Sequence, residues 1–186
     1  MTERRLISVS KEYSQALENL DRAVKLSPQN PQFLESRGIT HFYMHQFKAA
    51  EADLSRALQL APTEPSPAVW LYLAQAHLGE NATGPLKKIN ARLKPIWPEP
   101  AVRFYLGELD RPTLIALAKS PDTNKDRKQR CQAYFFLGEA ALIHHDRAEA
   151  RKMFQKSIEM QVPDSYEFTG AVAELDQLAH RQTKAR

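Results

Sequence analysis

"RALQLAPTEP", Arg56 to Pro65, repeats much of "RAVKLSPQNP", Arg22 to Pro31. Arg22, Ala23, Leu26 and Pro28 return as Arg56, Ala57, Leu60 and Pro62, each time 34 residues later. Working backwards, Tyr13, Ala16 and Leu20 align with Phe47, Ala50 and Leu54 at the same offset. A fixed offset that carries apolar, small and helix-stopping residues together describes one structural unit used twice. Ala50, Leu54 and Ala57 share one face of a helix, and Pro62 ends that helix.

A period of 34 with Gly38 in a first helix and Ala50, Leu54 and Ala57 in a second resembles the tetratricopeptide repeat. The small residues let two antiparallel helices approach, and the larger apolar ones fill the space between them. A single pair cannot bury its own apolar face, so pairs stack. A third unit lies near the C-terminus, where Gly138, Ala150, Phe154 and Ser157 take the places of Gly38, Ala50, Leu54 and Ala57. The offset there is 100, two short of three periods, which places an irregularity in the middle. "PAVWLYLAQAHLG" (67–79) has first-helix character, but "PLKKINARL" lacks the small-residue ladder of a second helix. "KPIWPEP" (94–100) contains three prolines and interrupts any helix. Two short helices are expected at about 101–107 and 112–119, the latter capped by Asp110.

The expected fold class is all-α, a short α-solenoid of stacked helix pairs forming a single domain over residues 1–186. Repeats are expected at about 1–30, 31–64 and 131–164. Degenerate helical units fill 65–130, and a capping helix covers about 165–180. The opening "MTERRLISVS" lacks the aromatic and Leu-Gly pair of a first helix. It is expected to be either a polar cap or a segment whose true start lies upstream.

Composition narrows the function. Of 186 residues, 42% are hydrophobic and 26% charged, as in ordinary folded domains. The formal net charge of +4 is too small to argue nucleic-acid binding by itself. One cysteine, Cys131, excludes an internal disulfide framework and a multi-cysteine zinc site. No apolar run approaches the ~18 residues of a membrane span.

"VWLYLAQA", "WPEPAVRFYLGEL", "RCQAYFFLGEAAL" and "VPDSYEFTGAVAEL" resemble, in that order, segments of the NlpI-type tetratricopeptide lipoproteins of Gram-negative bacteria. The resemblance runs from about Ala23 to Leu178 and includes the irregular middle. It implies an envelope adaptor, lipid-anchored to the outer membrane and often dimeric, that holds periplasmic proteases and peptidoglycan hydrolases together. The sequence as it stands opens without an apolar signal, and Cys131 is internal. The expected compartment is therefore the cytoplasm for this sequence alone. If the resemblance holds, it is the periplasm, with an in-frame signal upstream.

The leading functional expectation is a non-catalytic protein-binding scaffold, with no cofactor and no metal. Its partner would be a protein or peptide and not a nucleic acid. First helices line the concave side of such arrays. The expected partner-binding residues are Glu35, Ile39, Phe42 and Tyr43, with Gln32, and Phe135, Glu139 and Leu142, with Gln132 and Ile143. The alternative is that much of this lining is core.

Two rival classes have residues to carry them. His41 and His45, four apart, would share a helix face and offer a metal to a hydrolase, although "HFYMH" lacks the glutamate of metalloproteases. The basic run "KDRKQR" (125–130) at a helix start would suit an anionic surface or nucleic acid, or is simply solvated. His144 and His145 read as a loop pair, and Cys131 as either a thiolate at a helix start or an inert thiol. Trp97, in the proline-rich break, is either an exposed anchor or folded back on the stack.

Overall fold

The computed structural model describes the backbone of residues 2–183 and the side chains of residues 13–180. Among these residues every regular element is a helix. In chain order they are α1 (Thr2–Leu26), α2 (Pro31–Tyr43), α3 (Phe47–Leu60), α4 (Pro65–His77) and α5 (Thr83–Asn90). Then come α6 (Glu99–Tyr105), α7 (Arg111–Leu117), α8 (Thr123–Ile143), α9 (Arg147–Ile158) and α10 (Tyr166–Thr183). The all-α class and the packing of successive helices into repeat-type pairs are as the sequence predicts.

The chain forms two compact units, Glu3–Leu106 and Gly107–Arg186. In the first, α2 and α3 form a hairpin, and α4 packs on α3. Asn30 starts α2: its side chain accepts hydrogen bonds from the N–H groups of Gln32 (2.9 Å) and Phe33 (3.3 Å), and Pro31 occupies the first turn. The register is set at Gly38, where a Cβ would lie 2.7 Å from Leu54 Cγ on α3. α4 buries Pro65, Pro67, Ala68, Val69, Trp70, Leu71, Leu73 and Ala74, so it has no solvent stripe. Its neighbours are α2, α3, α5 and α6. α5 buries only Leu86, in keeping with its missing ladder.

In the second unit, α8 and α9 form the other hairpin, α10 packs across both, and α7 packs on α8. Gly138 repeats the role of Gly38, with a Cβ there falling 2.5 Å from the Phe154 ring. Asp110 caps α7 by accepting from the Thr113 N–H (2.9 Å), as expected. Asp122 caps α8 in the same way, from Lys125 (2.7 Å).

Two segments differ from expectation. Residues 2–26 are one continuous helix, so the first 30 residues hold no helix pair. α8 begins at Thr123, two turns before the expected start, and takes "KDRKQR" into its first half.

The turns after α2, α4 and α8 share one hydrogen-bond scheme. His45, Gly79 and His145 have φ of 55°, 75° and 60°. Each donates to the carbonyl three residues back, on Phe42, Ala76 and Leu142 respectively. The next residue donates five back, as Gln46 does to His41, Glu80 to Gln75 and Asp146 to Ala141. This is the Schellman ending of a helix, with a left-handed residue closing it.

Candidate functional site

The expected groove residues divide on burial. On α2, Gln32 is exposed and Glu35 half-buried, but Ile39, Phe42 and Tyr43 lie in the core. Phe42 is 3% exposed and meets Phe47, Trp70 and His77 edge-on, with ring centroids 5.3, 5.3 and 5.4 Å away. Tyr43 stacks on Tyr13 at 5.4 Å and touches the Trp70 edge at 5.6 Å. These aromatics hold α2 against α1, α3 and α4. Their assignment to an open lining is corrected accordingly: the next helix covers the face they point to.

The second unit behaves alike. Phe135 and Glu139 are fully buried on α8, while Leu142 and Ile143 are half-buried. The Gln132 side-chain amide donates to Glu167 Oε1 of α10 (2.9 Å). Packing of α10 on α8 occupies the side where a partner was expected.

On α2 the accessible part of the expected lining is polar, Gln32 and Glu35, and Ser66 and Glu64 at the start of α4 lie against Glu35. Burial, above all, raises the Glu35 carboxyl above its ordinary value; the Ser66 hydroxyl hydrogen-bonds to it and opposes the rise, and the Glu64 charge adds to it. Sequence reasoning missed Ser66 and Glu64. Their signal was their place one repeat after Gln32 and Asn30. Glu64 is itself paired with Lys94 at 2.5 Å.

Beside this lies an ionic clamp that periodicity did not indicate. Arg37 of α2 donates from Nε and Nη2 to the two carboxylate oxygens of Asp53 on α3, both at 2.7 Å. It also reaches Asp21 of α1 at 2.9 Å. Its charged form is stabilised mainly by the Asp53 hydrogen bonds. The planar fork matches a carboxylate, so the clamp fixes three helices in register.

His41 and His45 do not share a helix face, contrary to the sequence expectation. α2 ends at Tyr43, and His45 turns into the left-handed region. His41 Nδ1 lies 2.6 Å from Gln46 Oε1, and its Nε2 is 3.8 Å from Asp53. His45 meets the Phe47 edge at 5.5 Å. No group of three or more His, Cys, Asp or Glu able to hold a metal occurs among the described residues. His144 and His145 are exposed in the turn after α8.

The "KDRKQR" cations are partly committed within the fold. Arg127 donates from Nε to the Met160 carbonyl (2.9 Å) and also bonds the Gln161 carbonyl, the oxygens just past the end of α9. A cation there complements the helix C-terminus. Arg130 pairs with Asp126 at 3.5 Å. Lys125 and Lys128 are less engaged, and both are exposed. Cys131 is buried, within 3.2 Å of Ser157 Oγ, and burial, chiefly, pushes its thiol up, away from a reactive thiolate. Trp97 is half-buried.

This arrangement of α2, α3 and α4, with its glycine-controlled crossing and repeated turn, agrees with the comparison to known families: residues 36–83 match the tetratricopeptide repeat.

Proposed function

We propose that the chain is a non-catalytic protein-binding scaffold whose recognition face runs along the starts of α2 and α4. The observation that supports it most is Glu35, a half-buried carboxylate beside the matched repeat with its pKa raised by burial and by Glu64. A lysine or arginine on the partner relieves both effects at once. Gln32 and Ser66 supply hydrogen bonds beside it. Phe42 and Tyr43 act indirectly, by holding the helices that carry this face. In its finer form, following the resemblance to NlpI-type lipoproteins, the partners are cell-envelope proteases or peptidoglycan hydrolases, and the compartment is the periplasm. Homodimers belong to the same reading.

The test is capture of partners from the source cell, followed by titration of the recovered partner. Glu35→Gln is expected to weaken binding by ~1 kcal/mol or more, as for loss of one member of a charged pair at an interface. Changes at exposed Lys48 or Gln59 on α3 are expected to leave affinity within about a factor of two. Equal affinity for Glu35→Gln and wild type, with unchanged helicity, refutes this face.

A further inference from the structure

One stretch in the middle of the chain carries cations without acids. Between Asn81 and Pro98 stand Lys87, Lys88, Arg92 and Lys94, and no aspartate or glutamate. The stretch thus has a local charge of +4, equal in size to the formal charge of the chain. All four side chains are exposed. Lys94 is paired with Glu64, whereas Lys87, Lys88 and Arg92 form no ion pair with any described residue. The C-terminal end of α5 favours the two lysines of its last turn. It accounts neither for Arg92 nor for the apolar tip of the loop beyond it.

That tip is built from Pro95, Ile96 and Trp97. Ile96 is 49% exposed, Pro95 is exposed, and Trp97 is half-buried next to them. The loop that presents them is tied down, because the Lys94 N–H donates to the Thr63 carbonyl (2.9 Å) and the Ile96 N–H to the Lys94 carbonyl (2.8 Å). A tied-down loop with an exposed branched aliphatic residue, a half-buried tryptophan next to it and four exposed cations in the residues just before it has the chemistry of a membrane interface. Aliphatic groups enter the acyl boundary, tryptophan settles at headgroup depth, and lysine and arginine meet lipid phosphates.

We propose that residues 85–97 form a docking surface for an anionic lipid bilayer. Charge complementarity selects the sign of the surface. Ile96, more exposed than the half-buried Trp97, favours lipid over nucleic acid, since an aliphatic side chain enters the acyl boundary and offers no plane for a base to stack on. This surface adjoins the face around Glu35 through the Lys94–Glu64 pair but is argued from other residues, and neither reading depends on the other.

The experiment is co-sedimentation of the full chain with vesicles of phosphatidylcholine alone and of phosphatidylcholine mixed with phosphatidylglycerol. Binding is expected only to the anionic vesicles and is expected to fall as salt rises. At ~1 kcal/mol per cation near such a surface, Lys87→Gln with Lys88→Gln is expected to lower the partition coefficient roughly 25-fold. Ile96→Ser is expected to weaken binding while leaving the salt dependence unchanged. Lys125→Gln with Lys128→Gln is the control, changing binding little. Brominated lipid is expected to quench Trp97 and not Trp70, which is 1% exposed, as a Trp97→Phe variant reports. Circular dichroism confirms that each variant is folded. Absence of binding to anionic vesicles at low salt overturns the proposal. So does equal binding by the lysine variant, or tighter binding to a single-stranded oligonucleotide or polyglutamate that Ile96→Ser does not affect.

Discussion

Single residues, Gly38 and Gly138, carry two close helix approaches. Gly138 faces the ring of Phe154, and a rigid ring in a filled core cannot step aside as a chain end can. Gly138→Val is expected to cost roughly 1–3 kcal/mol, seen as a lower melting temperature. A compensating Phe154→Leu in the same chain should recover part of the loss, since Leu54 fills the matching place opposite Gly38. Glu35 makes a prediction about pH. Its folded pKa is raised, so the folded state holds the proton more tightly than the unfolded one. Its ionised form therefore opposes folding fully above the folded pKa, and the penalty disappears as pH falls through the ordinary value of 4.5. Glu35→Gln is expected to raise the melting temperature at pH 7 and to lose that advantage below about pH 4. Equal gains at both pH values contradict the assignment. Gly38 and Gly138 were legible because close helix crossings require small residues at a fixed place in the period. Phe42, Tyr43, Phe135 and Glu139 were misjudged for a physical reason: periodicity assigns a residue to a face but does not say which neighbouring helix covers that face. The Arg37 clamp was silent for a different reason, since charged residues occur at exposed positions of any helix.

Elements show where the repeat is obeyed and where it is relaxed. Three first helices end in the same turn, yet the left-handed position holds Gly79 in one and histidine in the other two. A side chain in that conformation costs roughly 1–2 kcal/mol, of which the entropy of an unfolded glycine returns part. His145→Gly is therefore expected to stabilise the protein by up to about 1 kcal/mol, and Gly79→Ala to destabilise it by about as much, both measured by urea denaturation. His45→Gly should gain less, because His45 also meets Phe47. The histidines hid this turn from a sequence reading that looks for glycine. α1 hid itself in another way. Tyr13, Ala16 and Leu20 match a second helix, and nothing in their spacing says whether the residues before them break or continue it. The early start of α8 was equally silent, for "SPDTNKD" has loop composition although Asp122 caps a helix within it.

At the scale of the whole molecule, each unit owns a core. The first buries Leu54, Val69, Trp70, Leu73 and Val102, the second Leu114, Phe135, Phe136, Leu137 and Phe154. Chains of roughly 80 to 100 residues with such interiors are large enough to fold alone. Fragments divided after Leu106 are each expected to keep a helical circular dichroism spectrum and to melt cooperatively. A random-coil spectrum from either fragment contradicts this. The fold class was readable across the full length because a 34-residue period is a long signal that survives local decay. The division at 106–107 was not, because "LGEL" in its surroundings looks like any repeat segment. Cys131 gives this division a clock. Its sulfur lies among Ser157 and Ser165 side chains, so an alkylating reagent reaches it only after α8 parts from the chain around it. With one thiol in the sequence, the rate of labelling reports the opening of the second unit alone. A substitution at Gly38 that leaves that rate unchanged, while one at Gly138 speeds it, would time the two halves of the chain with a single atom.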